Sequence, residues 1–236
     1  MTIARSPFSG SGMLRGIAAL IVLSLGTAGW AAGGGGGGGG GFSGGASSPR
    51  ELGAAYFEKG ETYRKAAVEA LERAAAATTD AERAEATALA NAKLKRALRE
   101  YKQAVRADRT LHFAWNGQGF TQRMLGDYEA ALKSYDRALK LEPGFPYAVE
   151  YRGEAYLMLG RLDDAKAAYM DLFGRERPFA DLLLRKMQAW VAQKKAQPAA
   201  DDAAQLDGFA QWVAERAALA MQTASLAPEA SAVASW

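Results

Sequence analysis

The sequence predicts an all-α protein, a short α-solenoid of about three stacked helix pairs. Two runs of apolar and small residues at helical spacing lie between His112 and Phe145. Gly126-Asp127 separates the runs and Pro143-Gly144 ends the second, which is the pattern of helix, tight turn and helix. The pattern recurs after 34 residues, and a fixed period of this length is typical of stacked helical repeats. Gly119, Gly126, Ala131 and Tyr135 recur as Gly153, Gly160, Ala165 and Tyr169.

The stretch from His112 to Phe145 resembles the tetratricopeptide repeat family. Eight residues fall at the signature spacings of that family: Trp115, Gly119, Gly126, Tyr128, Ala131, Tyr135, Ala138 and Pro143. Gly119 and Ala131 are small enough for the two helices to approach closely, and Tyr135 then lies on the buried side of the second helix. Gln118 and Gln122 depart from the family pattern, because they replace an apolar and an aromatic residue. We expect these two glutamines to loosen the first helix of this repeat.

Residues 1–32 predict a secretory signal peptide. Arg5 and Arg15 give a positively charged leader, and residues 17–25 form a compact apolar core that is followed by small residues up to Ala32. The core is closer to the roughly 7–15 apolar residues of a signal peptide than to the ~20 of a spanning helix. We therefore expect export, to the periplasm of a Gram-negative bacterium. The alternative is an uncleaved anchor in the inner membrane.

A glycine-rich segment at residues 33–49 follows the signal. It begins with an unbroken glycine tract, from Gly33 to Gly41, and continues mostly as serine, glycine and alanine. Glycine loses the most backbone entropy on folding, so this composition predicts a flexible linker. As a coil, it would span about 20–25 Å from end to end. The solenoid is expected to cover residues 50–196, including its capping helix.

Residues 50 to about 108 predict a first helix pair with extended helices. Gly60 matches Gly119 of the second repeat, and Ala97 matches Ala131. Gly60 and Ala97 are 37 positions apart, whereas Gly119 and Ala131 are only 12 apart. The additional residues are mostly helix formers, interrupted by capping residues at Thr78-Thr79-Asp80. We therefore expect both helices to continue past the usual turn by roughly 18 Å, as an antiparallel arm with a seam made largely of alanine.

Two further helices are predicted after the third repeat, which covers residues 146 to about 174. Gly174 to Pro178 is expected to end that repeat. A capping helix then covers the last apolar face with an amphipathic stripe. The stripe consists of Phe179, Leu182, Leu183, Lys186, Met187, Trp190 and Val191. Residues 197–236 predict an amphipathic helix after Asp201-Asp202 and a loose tail; this helix packs on the solenoid, fills its groove or docks elsewhere.

The composition argues against several kinds of site. The chain has no cysteine and one histidine, His112, which excludes disulfides and thiolate zinc sites and disfavours histidine metal clusters. No phosphate loop, dinucleotide fingerprint or nucleophile elbow is present in the sequence. Asp163-Asp164 is a pair of acids at an expected helix start, where acids are favoured by the helix dipole. We expect no catalytic activity, no cofactor and no metal site.

The resemblance to tetratricopeptide repeats implies a partner-binding groove, lined by the first helix of each repeat. In the family, the second, fifth, ninth, twelfth and thirteenth positions of a repeat are exposed there. The corresponding candidates in this chain are Phe57, Glu61, Arg64, Phe113, Asn116, Phe120, Arg123, Tyr147, Glu150, Glu154 and Met158. Aromatic side chains with scattered polar groups suit an extended segment or a helix. A clamp for a C-terminal carboxylate is not expected, because Phe113 and Tyr147 stand near positions where such a clamp uses basic residues.

These observations favour a non-catalytic protein–protein interaction scaffold or adaptor of the bacterial cell envelope. Its partner would be a protein or peptide bound in the groove, with membrane contact only if the signal segment is retained. The second hypothesis is an envelope assembly factor that is tethered to the membrane by residues 17–32. A third, a small hydrolase, is disfavoured by the single histidine and the absence of cysteine. The net charge of +3 falls to +1 without Arg5 and Arg15, so nucleic-acid binding has no bulk electrostatic support, and no small-molecule substrate is evident.

Export can be tested with a fusion of residues 1–45 to a reporter that is active only outside the cytoplasm. We expect activity, because the positive leader and the apolar core direct translocation. Mass spectrometry of the N-terminus should then locate cleavage between Ala28 and Gly33. A reporter that accumulates without activity would contradict export, and an intact N-terminus would favour the membrane anchor.

Overall fold

The computed structural model describes residues 48–196 and 203–226, and this part of the chain forms eight α-helices and no strand. The helices are α1 (Pro49–Ala76), α2 (Asp80–Ala107), α3 (His112–Met124), α4 (Tyr128–Leu141), α5 (Pro146–Met158), α6 (Leu162–Arg175), α7 (Arg177–Ala196) and α8 (Ala203–Leu226). Helices α1–α4 belong to one compact unit and α5–α8 to a second, divided between Pro143 and Gly144. The predicted all-α architecture of helix pairs is confirmed.

Some predicted features lie outside the described residues. They are the signal peptide at 1–32, the linker as far as residue 47, the Asp201-Asp202 cap and the tail from residue 227. Among the helices that are described, none combines the length and the apolar composition needed to cross a membrane.

Helices α1 and α2 form the predicted arm, and each is 28 residues long. Both begin with reciprocal side-chain caps. The Ser48 hydroxyl accepts the Glu51 backbone N–H at 3.2 Å, while the Glu51 carboxylate accepts the Ser48 N–H at 2.9 Å. Thr79 and Glu82 form the same box at the start of α2. The break predicted at Thr78 to Asp80 is confirmed, and α1 begins at Pro49, so the expected linker is one residue too long at its C-terminal end.

Alanine builds most of the seam between α1 and α2. The seam alanines, all at most 5% exposed, are Ala67, Ala70, Ala74, Ala86, Ala90 and Ala97. Leu71 and Leu94 are the large apolar side chains buried among them. Small residues let the helices approach closely, but they bury little apolar area per residue. Met124, at the end of α3, packs against the cluster of Ala70, Leu71 and Ala90 and thereby supports the arm from the side.

Tyrosine rings fill the gaps that glycines leave between helices of the first unit. Tyr101 of α2 is fully buried between Gly60 of α1 and Gly117 of α3. A Cβ atom at either glycine would lie 2.6 Å from the tyrosine ring, which is too close for any side chain. Tyr135 of α4 makes the same contact with Gly119, again with 2.6 Å left for a Cβ atom. The close approach predicted at Gly119 is confirmed, and a tyrosine ring occupies the space.

The turn between the two helices of a repeat depends on a glycine in the left-handed region. Gly126, between α3 and α4, has a φ of 85°, and Gly160, between α5 and α6, has a φ of 71°. In the first turn, the Asp127 N–H donates to the Gln122 carbonyl at 2.9 Å. In the second, the Arg161 N–H donates to the Tyr156 carbonyl at 2.9 Å. This bond, which spans five residues, is typical of helices that end at a left-handed glycine.

The expectation that Gln118 and Gln122 loosen α3 is wrong, because both take part in a buried polar network with α4. Ser134 Oγ accepts from the Gln118 amide nitrogen at 3.0 Å and donates to the Ala130 carbonyl at 3.1 Å. The Gln122 amide nitrogen donates to the same Ser134 oxygen at 2.6 Å and to the carbonyls of Ala130 and Gln118 at 3.2 Å. Ser134 on the partner helix therefore gives the amide nitrogens of both glutamines a hydrogen-bond partner, whereas Gln118 Oε1 has none among the described residues.

In the second unit, α5 and α6 form the third repeat and α7 packs against both. A Cβ atom at Gly153 would lie 2.7 Å from Cδ2 of Leu183, so this glycine admits a leucine of α7 rather than the repeat's own tyrosine. Leu172, which departs from the family pattern, is fully buried. Helix α6 ends at Arg175 and α7 begins at Arg177, so the end of the repeat that was predicted within Gly174 to Pro178 is confirmed. The space around Gly174 is open, and the helix continues through it without a packing conflict.

Helix α7 provides the predicted cap, and α8 pairs with it. Leu183, Met187 and Trp190 are buried on α7. The Trp190 ring meets the Phe209 ring of α8 edge-on at 5.7 Å between centroids. Trp212 of α8 lies 5.5 Å from the Tyr169 ring of α6. The aromatic side chains of helix α8 therefore pack against α6 and α7.

Met221, near the end of α8, is 70% exposed. The buried contact of α8 is made by Phe209 and Val213, whereas Met221 borders an open cavity between α7 and α8.

The contact between Gly119 and Tyr135 can be tested by Gly119→Ala. Alanine is favoured over glycine in a helix by about 1 kcal/mol. Because its Cβ atom would collide with the Tyr135 ring, we nevertheless expect a loss of roughly 1–3 kcal/mol in the free energy of unfolding. Urea denaturation followed by circular dichroism measures this change. The matched control is Gly208→Ala in α8, where the space is open and stability should rise. Equal effects at both sites would contradict the role of the ring.

Candidate partner-binding surface

Aromatic rings from α1, α2 and α3 meet on one side of the first unit. Phe57 lies 6.0 Å from Tyr101 and 6.3 Å from Phe113 between ring centroids. Phe113 is 38% exposed, and Phe57 is half-buried. Two of the predicted site residues therefore present an adjoining apolar surface to solvent, supported from below by a buried tyrosine.

His112 extends this aromatic group. Its ring lies 3.9 Å from the Phe113 ring between centroids. Burial lowers the pKa of the imidazole below its usual range, and the negative charge of Glu142 opposes this in part. At neutral pH the ring is therefore uncharged and serves as an apolar packing partner of Phe113, as the sequence predicts for this residue.

Glu61 and Arg64 of α1 are held in place by a hydrogen-bond network with Tyr101. The Tyr101 hydroxyl donates to Glu61 Oε1 at 2.5 Å. Arg64 donates to the same carboxylate through Nε at 3.0 Å and through Nη2 at 2.6 Å. Burial, together with the charge of Glu61, raises the pKa of Tyr101 well above its usual range, so the hydroxyl remains a donor. These hydrogen bonds thus hold the predicted site residues Glu61 and Arg64 in position.

Phe120 was expected on the surface, and this is wrong, because two guanidinium groups cover its ring. Arg64 Cζ lies 5.6 Å and Arg123 Cζ lies 5.5 Å from the ring centroid. Phe120 is consequently only 8% exposed. The aromatic face attracts both cations and holds them side by side. This part of the surface therefore exposes two arginine side chains rather than a phenylalanine.

Asn116 was also expected to be exposed, and it is 4% exposed. It lies on α3 one turn after Phe113, where the neighbouring helices close over it. Its Oδ1 atom is buried without a hydrogen-bond partner among the described residues. Asn116 therefore belongs beneath the surface that Phe113 forms.

In the second unit, the predicted site residues divide in the same way. Tyr147 and Met158 of α5 are half-buried, but Glu150 is fully buried and Glu154 is 9% exposed. The expectation of exposure is therefore wrong for both glutamates. Helix α7, which packs on α5, also buries a charged residue, since Lys186 is 2% exposed. The side of α5 that the sequence assigned to a groove thus carries buried charge beside its aromatic residues.

Tyr147 has more aromatic neighbours than the sequence indicates. Its ring meets Phe179 of α7 edge-on, 4.8 Å between centroids. Phe145 lies 5.5 Å away and Tyr151 lies 6.4 Å away. Phe179 was predicted only as part of the cap, and its contact with α5 depends on tertiary packing that no local pattern encodes.

A cavity of about 350 Å³ between α7 and α8 was not predicted. It is lined by Asp181, Leu184, Arg185, Gln188, Ala217, Ala220 and Met221. Arg177 bridges the two helices nearby, donating to the Ala220 carbonyl at 3.2 Å and to Thr223 Oγ1 at 2.8 Å.

Comparison with known families supports the reading of the second helix pair. Residues 112–145 match the family model of the tetratricopeptide repeat, and this range contains α3 and α4. The resemblance drawn from the signature residues is therefore confirmed for this pair. Tetratricopeptide repeats generally bind protein or peptide partners and are typically non-catalytic.

Comparisons with whole proteins add little to this family assignment. A solved crystal structure of MamA protein is 20% identical to this chain, and the match covers 71% of this chain and 94% of that one, with a TM-score of 0.38. None of the curated proteins matches the chain. The helices and the repeat match therefore establish the fold.

The different positions of Phe113 and Phe120 predict different costs of truncation. Phe120→Ala should lower the free energy of unfolding by roughly 3 kcal/mol, because it empties the space beneath two arginines. Phe113→Ala should cost about 1 kcal/mol, since its side chain is 38% exposed and its ring contacts with Phe57 and His112 lie at the surface. Thermal and urea denaturation of the two variants measure these values. Equal losses would show that Phe113 is a core residue as well.

Proposed function

We propose that this chain is a non-catalytic scaffold or adaptor that binds a segment of a protein partner on the first helices of its repeats. In the first unit, the binding surface consists of Phe57, Arg64, Phe113 and Arg123. The observation that carries the proposal is Phe113, an aromatic side chain that is 38% exposed on the first helix of the matched repeat. Binding hot spots favour aromatic and arginine side chains of this kind.

The chemistry of the surface suits an extended or helical segment with mixed character. Phe57 and Phe113 offer an apolar area for an aliphatic or aromatic side chain. Arg64 and Arg123, held over Phe120, offer donors for carbonyl or carboxylate oxygens of the partner. The Glu61 carboxylate fixes Arg64 in advance, which lowers the entropy lost on binding. Asn116, which is 4% exposed on α3, lies beneath this surface.

The proposed compartment is the bacterial cell envelope, most simply the periplasm. The positive leader and apolar core within residues 1–32 support this location. The alternative is an assembly factor that keeps the same segment as a membrane anchor. Both alternatives assign the partner-binding step to the same surface, so they differ in whether the scaffold is released or tethered.

A photo-crosslinking amino acid placed at Phe113 tests the partner-binding surface. We expect a discrete adduct with one envelope protein in living cells. The matched control is the same amino acid at Leu141, which is 39% exposed and lies at the end of α4. This control should give no adduct of the same mass.

A second variant separates binding from folding. Phe113→Ser in a chain that carries the crosslinker at Phe57 should abolish the adduct while leaving the helical circular dichroism signal unchanged. Identical adducts from positions 113 and 141, or an adduct that survives Phe113→Ser, would sink the proposal.

A further inference from the structure

A row of four basic residues lies along one face of α2. Lys95, Arg99, Lys102 and Arg106 follow one another at spacings of four, three and four residues, so their side chains project within a narrow arc of the helix. All four are exposed. The row extends about 17 Å at the helical rise. The buried seam residues of α2, which include Ala97, Tyr101 and Ala104, lie on the opposite side of the helix.

The basic row differs from several other exposed cations of this chain, which pair with acids. Arg83 pairs with Asp80 at 2.5 Å, Arg161 with Asp164 at 2.8 Å and Lys166 with Asp163 at 3.1 Å, each three residues away. In the basic row, no aspartate or glutamate stands three or four residues before or after any member. Several of those positions are instead occupied by other members of the row, and like charges at this spacing destabilise a helix.

The side chains of the basic row make few charged contacts with the rest of the chain. Arg99 approaches Glu100 at 3.7 Å, and its side chain is 65% exposed. Lys95, Lys102 and Arg106 form no ion pair within residues 48–196 and 203–226. An anionic surface outside the chain would relieve the mutual repulsion of the four cations.

The position of the row indicates which anionic surface that is. The start of α1 lies against the end of α2, since a Cβ atom at Gly53 would be 2.9 Å from Cβ of Asp108, and Tyr56 packs beside Ala104 and Val105. Residues 1–47 therefore join the folded part at the same end of the arm as Arg106. The glycine-rich composition of residues 33–49 predicts a linker of about 20–25 Å. In the alternative that keeps residues 17–25 as a membrane anchor, this length leaves the basic row within reach of the lipid headgroups.

We propose that the basic row of α2 adsorbs to the surface of an anionic phospholipid bilayer. The contact is mainly electrostatic, because the residues beside the row on this face are mostly small or polar, namely Ala88, Ala92 and Gln103, with Leu98 as a partly exposed apolar residue. Lipid phosphates lie in a plane, and a straight row of cations can meet several of them at once. The near-neutral charge of the whole chain gives a nucleic acid no comparable advantage. This surface is separate from the partner-binding residues on α1 and α3.

Vesicle co-sedimentation of the full chain tests the proposal. The probes are vesicles of phosphatidylcholine alone and vesicles with phosphatidylglycerol added. We expect tighter binding to the anionic vesicles, weakened by high salt. Changing Lys95, Arg99, Lys102 and Arg106 together to Gln should reduce anionic binding by roughly 600-fold, as expected when each cation near the surface contributes about fivefold. Binding to phosphatidylcholine, which reports the apolar residues 17–25, should not change.

A control variant removes the same charge elsewhere, by changing Arg83, Arg161, Lys166 and Arg175 to Gln. It should bind anionic vesicles like the parent, and Lys95→Arg with Lys102→Arg should also retain binding. Circular dichroism verifies that every variant is folded. Equal losses in the row variant and the control variant would overturn the proposal, as would equal binding of the parent to both kinds of vesicle. Retention by an acidic protein or by duplex DNA, without any preference for anionic lipid, would overturn it too.

Discussion

The insertion of a tyrosine ring into the space left by a glycine is the contact on which the first unit depends. Tyr101 fits between Gly60 and Gly117, and so joins three helices through one side chain. Its hydroxyl emerges at the far side, where it donates to Glu61 and orients Arg64. The same buried ring therefore sets the distance between helices and positions a charged pair at the surface. Packing and the candidate site are two consequences of one interaction.

Much of the fold could be predicted from the sequence, because helix starts and stops are encoded locally. Local signals act within a few residues, as do the glycine at position 126, the threonine cap before Asp80 and the alanine-rich composition of the arm. The repeat period then fixed the pairing of helices. Gln118 and Gln122 were misjudged because their partner, Ser134, lies on the next helix and carries no family signature.

The candidate site could be predicted only in part. The repeat frame located the residues of the first helices, but exposure depends on what neighbouring helices place above them. Phe120 is covered because Arg64 of another helix extends over its ring. Glu150 is fully buried, although a charged residue at a frame position predicts a surface. Phe113 remains 38% exposed, with the rings of Phe57 and His112 packed beside it.

The alanine seam has a further consequence for how the arm behaves along its length. Near the base, Tyr101 and Leu94 bury large side chains, and α3 supports both helices. Toward the tip, the contact is reduced to methyl groups such as those of Ala74 and Ala86, and the Thr79 cap is exposed. Free energy of local opening follows the apolar area buried. We expect backbone amides to exchange with solvent fastest at the tip and ever more slowly toward the base, so that the arm frays from its end while its root stays closed.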